Sequence, residues 1–182
     1  MRSAFPKTRV VENQRFVDNG KIITTGGLSA GIDGALHVIS KLESPGKAEE
    51  VALEEEYNWR PHDTYARAAL ADRQIPDVNL DGHGGWQMVR TEGDTNRWEM
   101  VFHWTADRSV ADVMKYIGSS FETGGKWTPV GTGAAISTAG ATERHWKFRG
   151  RDGKPWTGAL KFEALAGAHN RYTATLTVER AG

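Results

Sequence analysis

Two periodicities divide the chain. In the back half, apolar side chains return at every second position. Over residues 97–104, Trp98, Met100, Phe102 and Trp104 share one face while Glu99, Val101 and His103 share the other, the alternation of a half-buried strand. Residues 143–149 repeat it with Trp146 and Phe148 inward. Residues 155–164 follow with Trp156, Leu160 and Phe162, and residues 172–179 with Tyr172, Ala174, Leu176 and Val178. Arg151-Asp152-Gly153-Lys154 supplies a hairpin turn. Between the first two strands the period changes to that of a helix. Val110, Val113, Met114, Ile117 and Phe121 form its stripe, Ser109 with Asp112 begins it and Gly124-Gly125 stops it. Residues 126–130 read as a short strand and 131–142 as a flexible glycine-rich loop. The pattern predicts an antiparallel sheet of about four strands with one covering helix.

The front half reads differently. Residues 15–18 and 21–25 form a predicted β-hairpin around Asn19-Gly20, a pair that tolerates positive φ. Gly26-Gly27 then leads into a helix with Ser29 as its expected N-cap and Ile32, Ala35, Leu36, Ile39 and Leu42 as its buried face. Ser44-Pro45-Gly46 breaks that helix, and a second follows over 46–57. A third is expected over 64–72, capped by Asp63 or Thr64, with Tyr65, Ala68 and Ala69 inward. Residues 1–14 are a lead-in with a strand edge at 8–11. Pro76, Asp81-Gly82 and Gly84-Gly85 mark a linker over 76–85. The expected organisation is 1–75, linker, then 86–182, and the overall class is α+β.

Composition narrows the functions. Lys+Arg and Asp+Glu each number 23, for a formal net charge of zero, whereas a general nucleic-acid or anionic-membrane binder needs a positive excess. Zero cysteines among 182 residues exclude disulfides, thiolate metal sites and a cysteine nucleophile. The first residues show no apolar signal region, and no apolar run approaches the ~20 residues of a membrane span. The expectation is a cytoplasmic protein without membrane or nucleic-acid partners.

Several groups carry candidate chemistry. Gly27-Leu28-Ser29-Ala30-Gly31 matches the G-x-S-x-G nucleophile elbow between a strand and a helix, and His62, His83, His103, His145 and His169 lie downstream. The alternative role for Ser29 is helix capping. Glu49, Glu50, Glu54, Glu55 and Glu56 read as a solvated helix face. His62-Asp63 is poorly spaced for one metal, and His83 with Asp77 and Asp81 matches no zinc or calcium loop. No metal or cofactor is expected. The loop 131–142 lacks the Lys-Ser/Thr ending of a phosphate-binding loop. The inward tryptophans read as core, with a small-molecule pocket between helix and sheet as the sharper alternative. His145, Lys147, Arg149, Arg151, Lys154 and Lys161 form a basic patch suited to a domain or partner contact.

Residues 15–42, RFVDNGKIITTGGLSAGIDGALHVISKL, with the following GKAEEVALEEEYNWRP, resemble the C-terminal part of the DJ-1/PfpI family of class I glutamine amidotransferase-like domains. The resemblance implies a partial flavodoxin-like α/β segment and places Gly27, Leu28, Ser29 and Asp33 at the border of the family's pocket. The family's chemistry uses a cysteine on an upstream elbow, and this chain has none. The expected function is therefore a non-catalytic binding or interaction protein, by self-association or with a protein partner. One alternative is a piece of a DJ-1/PfpI-type hydrolase or lyase that needs a separate cysteine-bearing half. A second is a serine hydrolase using Ser29.

Overall fold

The computed structural model describes residues 4–11, 14–62, 66–131, 135–138 and 140–182, with only the backbone described at Ala68. The chain is mixed α/β and divides into two compact units, Met1–Ala69 and Leu70–Gly182.

In the first unit, strands β1 (Phe16–Asp18) and β2 (Ile23–Thr25) pair antiparallel, with Asp18 opposite Ile23. The connection is the four residues 19–22 and not the two-residue turn expected from Asn19-Gly20. Side chains fix it: Asp18 Oδ1 accepts from Gly20 N at 2.7 Å, and Asn19 Oδ1 accepts from Lys21 N at 3.0 Å and Ile22 N at 2.8 Å. No strand forms at residues 8–11. Helix α1 (Leu28–Leu42) follows with Gly27 as N-cap and no side-chain cap, so Ser29 lies inside the first turn and does not cap the helix. Helix α2 (Pro45–Glu54) is shorter than expected. Its signals are strong: Ser44 Oγ accepts from Lys47 N at 3.1 Å and Pro45 opens the first turn. Its buried residues are Ala48 and Ala52, four apart and small, and that face packs on α1. The five glutamates are exposed.

The orientation of α1 agrees with the sequence reading only in part. Ala30, Asp33, Gly34 and Leu36 are buried. Gly34 meets the hairpin so closely that a Cβ there would lie 2.6 Å from Thr25 Cγ2. Leu36 of the expected stripe is buried as its spacing predicts, but Ile32 is 43% and Leu42 77% exposed, and Leu28, outside that stripe, is 96% exposed. Helical spacing correctly identified a stripe, but periodicity cannot say which face the neighbours cover.

The second unit begins earlier than expected. Two short 3-10 turns, Arg67–Ala69 and Ala71–Gln74, stand where a third helix was predicted; its expected cap and Tyr65 lie outside the described residues. Leu70 and Ala71 are buried in the second unit's core, and Ile75, Val78 and Leu80 pack against it. Much of the expected linker is therefore a packed segment. The sheet has seven strands, all paired antiparallel: β3 (Gly85–Gly93), β4 (Arg97–Thr105), β5 (Thr128–Pro129), β6 (Ile136–Thr138), β7 (Ala141–Arg149), β8 (Pro155–Ala164) and β9 (Arg171–Arg180). Their order is β3-β4-β9-β8-β7-β5, with β6 also on β7. The four long alternating strands were foreseen. β3 was not, because it is exposed along its whole length and a bulge between Met88 and Arg90 breaks its period of two. The two-residue β5 lies within the strand expected at 126–130, whereas the three-residue β6 lies inside the stretch 131–142 expected to be a flexible loop, where it pairs with β7.

Helix α3 (Val110–Gly124) is capped by Ser109 Oγ, which accepts from Asp112 N at 3.2 Å. Val113, Met114, Ile117 and Phe121 are buried beneath it, as their spacing predicts. The core is aromatic. Phe121 meets Trp146 edge-on at 5.4 Å, Trp127 stacks on Phe148 at 4.2 Å, and Trp104 meets Phe162 edge-on at 5.6 Å. Glu122 ties α3 to β7 by accepting from Arg144 Nη2 and, at 3.0 Å, from Trp146 Nε1.

Candidate functional site

The sequence directs attention to the start of α1, where the first unit concentrates its polar side chains. Arg15 enters β1 beneath the helix and donates from Nε to Asp33 Oδ2. Its Nη2 lies 3.3 Å from both Ser29 Oγ and Tyr57 OH. Tyr57, just beyond α2, donates to Asp33 Oδ1 at 3.1 Å. Asp33 is only 3% exposed, and both of its oxygens are engaged by these partners. A buried carboxylate requires this kind of compensation. Burial pulls the Arg15 guanidinium down, but the bond and charge of Asp33, with Tyr57 adding to them, hold it above its ordinary range. Burial raises the Tyr57 phenol, and the bond to Asp33 raises it further against the opposing pull of Arg15.

A second tie joins the hairpin to the other end of the helix. Asp18 Oδ2 receives Lys41 Nζ at 2.8 Å and His37 Nε2 at 2.9 Å. His37 also lies against the Phe16 ring at 4.6 Å. The bonds from Lys41, His37 and the Gly20 backbone hold the Asp18 carboxyl well below the usual carboxylate range.

These contacts bring together some of the expected pocket residues and separate others. Arg15 bridges Ser29 and Asp33. Leu28 lies on the opposite, exposed side of the helix, and Gly27 serves as its cap. Ser29 Oγ meets a guanidinium, which cannot accept its proton. Among the described residues no histidine or carboxylate reaches that hydroxyl, so the elbow pattern comes without a base. Arg15 and Tyr57 were missed as site residues. The available signal was Asp33 itself, an acid one helical turn after Ser29 that had to be either exposed or paired.

The other candidates disperse. His83 stacks on Tyr116 at 3.6 Å within the second unit. Among the described residues no group of three or more His, Asp or Glu side chains is placed to hold a metal ion, and no helix is long and apolar enough to cross a membrane. The basic patch is partly neutralised: His145 faces Glu143 at 3.2 Å and Lys161 faces Glu163 at 2.8 Å. Arg149 and Arg151 remain on the rim of a pocket in the second unit.

No protein-family model matches the chain, and no curated protein matches it. Among solved structures the chain is similar to the crystal structure of LpqN, involved in cell envelope biogenesis of Mycobacterium tuberculosis, with 15% identity over 57% of this chain and 69% of that one, at a TM-score of 0.32. A likeness of that size carries no weight for fold or function.

Proposed function

We propose that the chain is a non-catalytic binding protein whose first unit associates with a second copy of itself through the outer face of α1. One observation carries this reading: α1 is anchored through Ala30, Asp33, Gly34 and Leu36 and presents the apolar side chains of Leu28, Ile32 and Leu42 to the outside. The stripe is Leu28, Ile32, Ala35, Ile39 and Leu42, with steps of four, three, four and three residues. Laid antiparallel on itself about Ala35, it sets Leu28 against Leu42 and Ile32 against Val38, itself 37% exposed, beside Ile39, with the small residue at the crossing. That self-complementarity is what a twofold interface requires. Antiparallel helices also oppose their dipoles favourably. One helix face is small beside a standard interface of about 1,600 Å², so the dimer is weak and concentration-dependent.

The non-catalytic part rests on the engagement of Asp33 by Arg15 and Tyr57 and on the missing base at Ser29. Lineage fits the same reading. The sequence of residues 15–42 resembles the C-terminal part of a DJ-1/PfpI domain, a family whose chemistry uses a cysteine, and the chain has none.

Sedimentation equilibrium of the full chain tests the association. The wild type shifts from monomer to dimer with concentration, while Ile32→Glu and Leu42→Glu stay monomeric. A wild type that remains monomeric throughout, or variants that dimerise equally well, overturns it. Ester and amide reporters test the rest: neither wild type nor Ser29→Ala turns them over, and turnover lost on that substitution restores the serine-hydrolase reading.

A further inference from the structure

The second unit contains a pocket of about 190 Å³ lined by Arg73, Gln74, Trp127, Phe148, Arg149 and Arg151, together with Ile75, Pro76 and the end of α3 at Gly124 and Gly125. Its three arginines come from three separate places: the second 3-10 turn, the end of β7 and the β7–β8 turn. Arg73 and Arg151 are held at the backbone and Arg149 through its guanidinium. Arg73 N donates to Leu70 O at 3.1 Å, Arg149 Nη1 donates to Gly153 O at 2.9 Å, and Arg151 N donates to Gln74 Oε1 at 3.0 Å. No aspartate or glutamate lines the pocket. Of the nearest acids in sequence, Asp152 is already taken by Arg180 at 3.0 Å. Among the described residues, the guanidinium groups of Arg73 and Arg151 have no ion-pair partner.

The walls are stiff. Trp127 and Phe148 lie parallel, 4.2 Å apart and interplanar at 5°, and both are buried. A Cβ at Gly125 would lie 2.4 Å from Pro76 Cγ, so that wall closes tightly. The negative end of the α3 dipole points here, but the Phe121 carbonyl already accepts from Gly125 N at 2.9 Å and Trp127 N at 3.2 Å. With the aromatic rings buried, the pocket offers a ligand little apolar surface and three cations.

We propose that this pocket binds the dianionic phosphate group of a small molecule. The guanidinium forks of Arg73 and Arg151, with the part of Arg149's that Gly153 O leaves open, match a tetrahedral oxyanion with several acceptor oxygens. A monoanion would leave more of their mutual repulsion uncompensated.

Titration calorimetry of the full chain at low ionic strength tests this with inorganic phosphate, glycerol phosphate and acetate as probes. Phosphate is expected to bind saturably at one site per chain, at least tenfold tighter than acetate. Arg73→Gln and Arg151→Gln, both at exposed side chains, are each expected to weaken it about tenfold with unchanged thermal unfolding. Glycerol phosphate binding tighter than inorganic phosphate identifies a phosphomonoester as the ligand class; equal affinity identifies the free ion. Nonsaturable binding, acetate binding as tight as phosphate, or affinity unaltered in both variants overturns the proposal. The readout is separate from self-association, which these substitutions leave unchanged.

Discussion

At the residue scale, the first unit depends on compensating one buried charge. Asp33 is almost wholly buried and relies on Arg15 and Tyr57. Replacing Arg15 with methionine keeps the stem and removes the charge, leaving a buried carboxylate with one neutral donor. Losing one partner of a buried pair costs about 3–5 kcal/mol, enough to unfold a small unit. Proteolysis of residues 14–62 measures the loss, and the reciprocal pair Arg15→Met with Asp33→Leu is expected to recover most of it. Asp18 gives the hairpin a pH dependence of known sign. Its folded carboxyl sits below its ordinary value of 3.8, so its stabilising contribution is complete above that value and declines as the pH falls toward the depressed one. Asp18→Asn should remove this acid-linked slope, which an acid titration followed by the hairpin amides would show. The sequence displayed Asp33 and Asp18 but not their partners, because Arg15, Tyr57, His37 and Lys41 reach them across 18 to 24 positions of chain.

At the element scale, the sheet unit was legible where packing agrees with local pattern. The stripe of α3 and the inward faces of β4, β7, β8 and β9 follow from spacing alone, because each buries one face on the same core. The strand β3 was hidden by its exposure and its bulge, and the segment 70–80 by its lack of any period. Trp127 was hidden by context. Its ring occupies space made by Gly158 on β8, where a Cβ would lie 2.3 Å from it. Gly158→Ala is expected to overpack this contact at a cost of about 1–3 kcal/mol. Urea unfolding followed by tryptophan fluorescence would detect it, and pairing the change with Trp127→Phe should relieve part of the cost. In α1 spacing places Leu36 correctly in the buried face but not Ile32 and Leu42, since Gly34 and Asp33 determine which face meets the hairpin.

At the scale of the whole molecule, the two units offer different surfaces. The second covers its aromatic core with α3 and opens a basic pocket at the helix end. The first spends its polar groups on holding α1 to the hairpin and leaves apolar side chains outside. Apolar surface in one continuous stripe favours association, and association by mass action stabilises whatever it covers. The stability of α1 should therefore depend on protein concentration, while the second unit's should not. Hydrogen exchange of the α1 amides at low and high concentration tests this most directly. Protection that rises with concentration in the wild type and stays flat in Ile32→Glu is the predicted result; equal protection at every concentration in a monomer would contradict it.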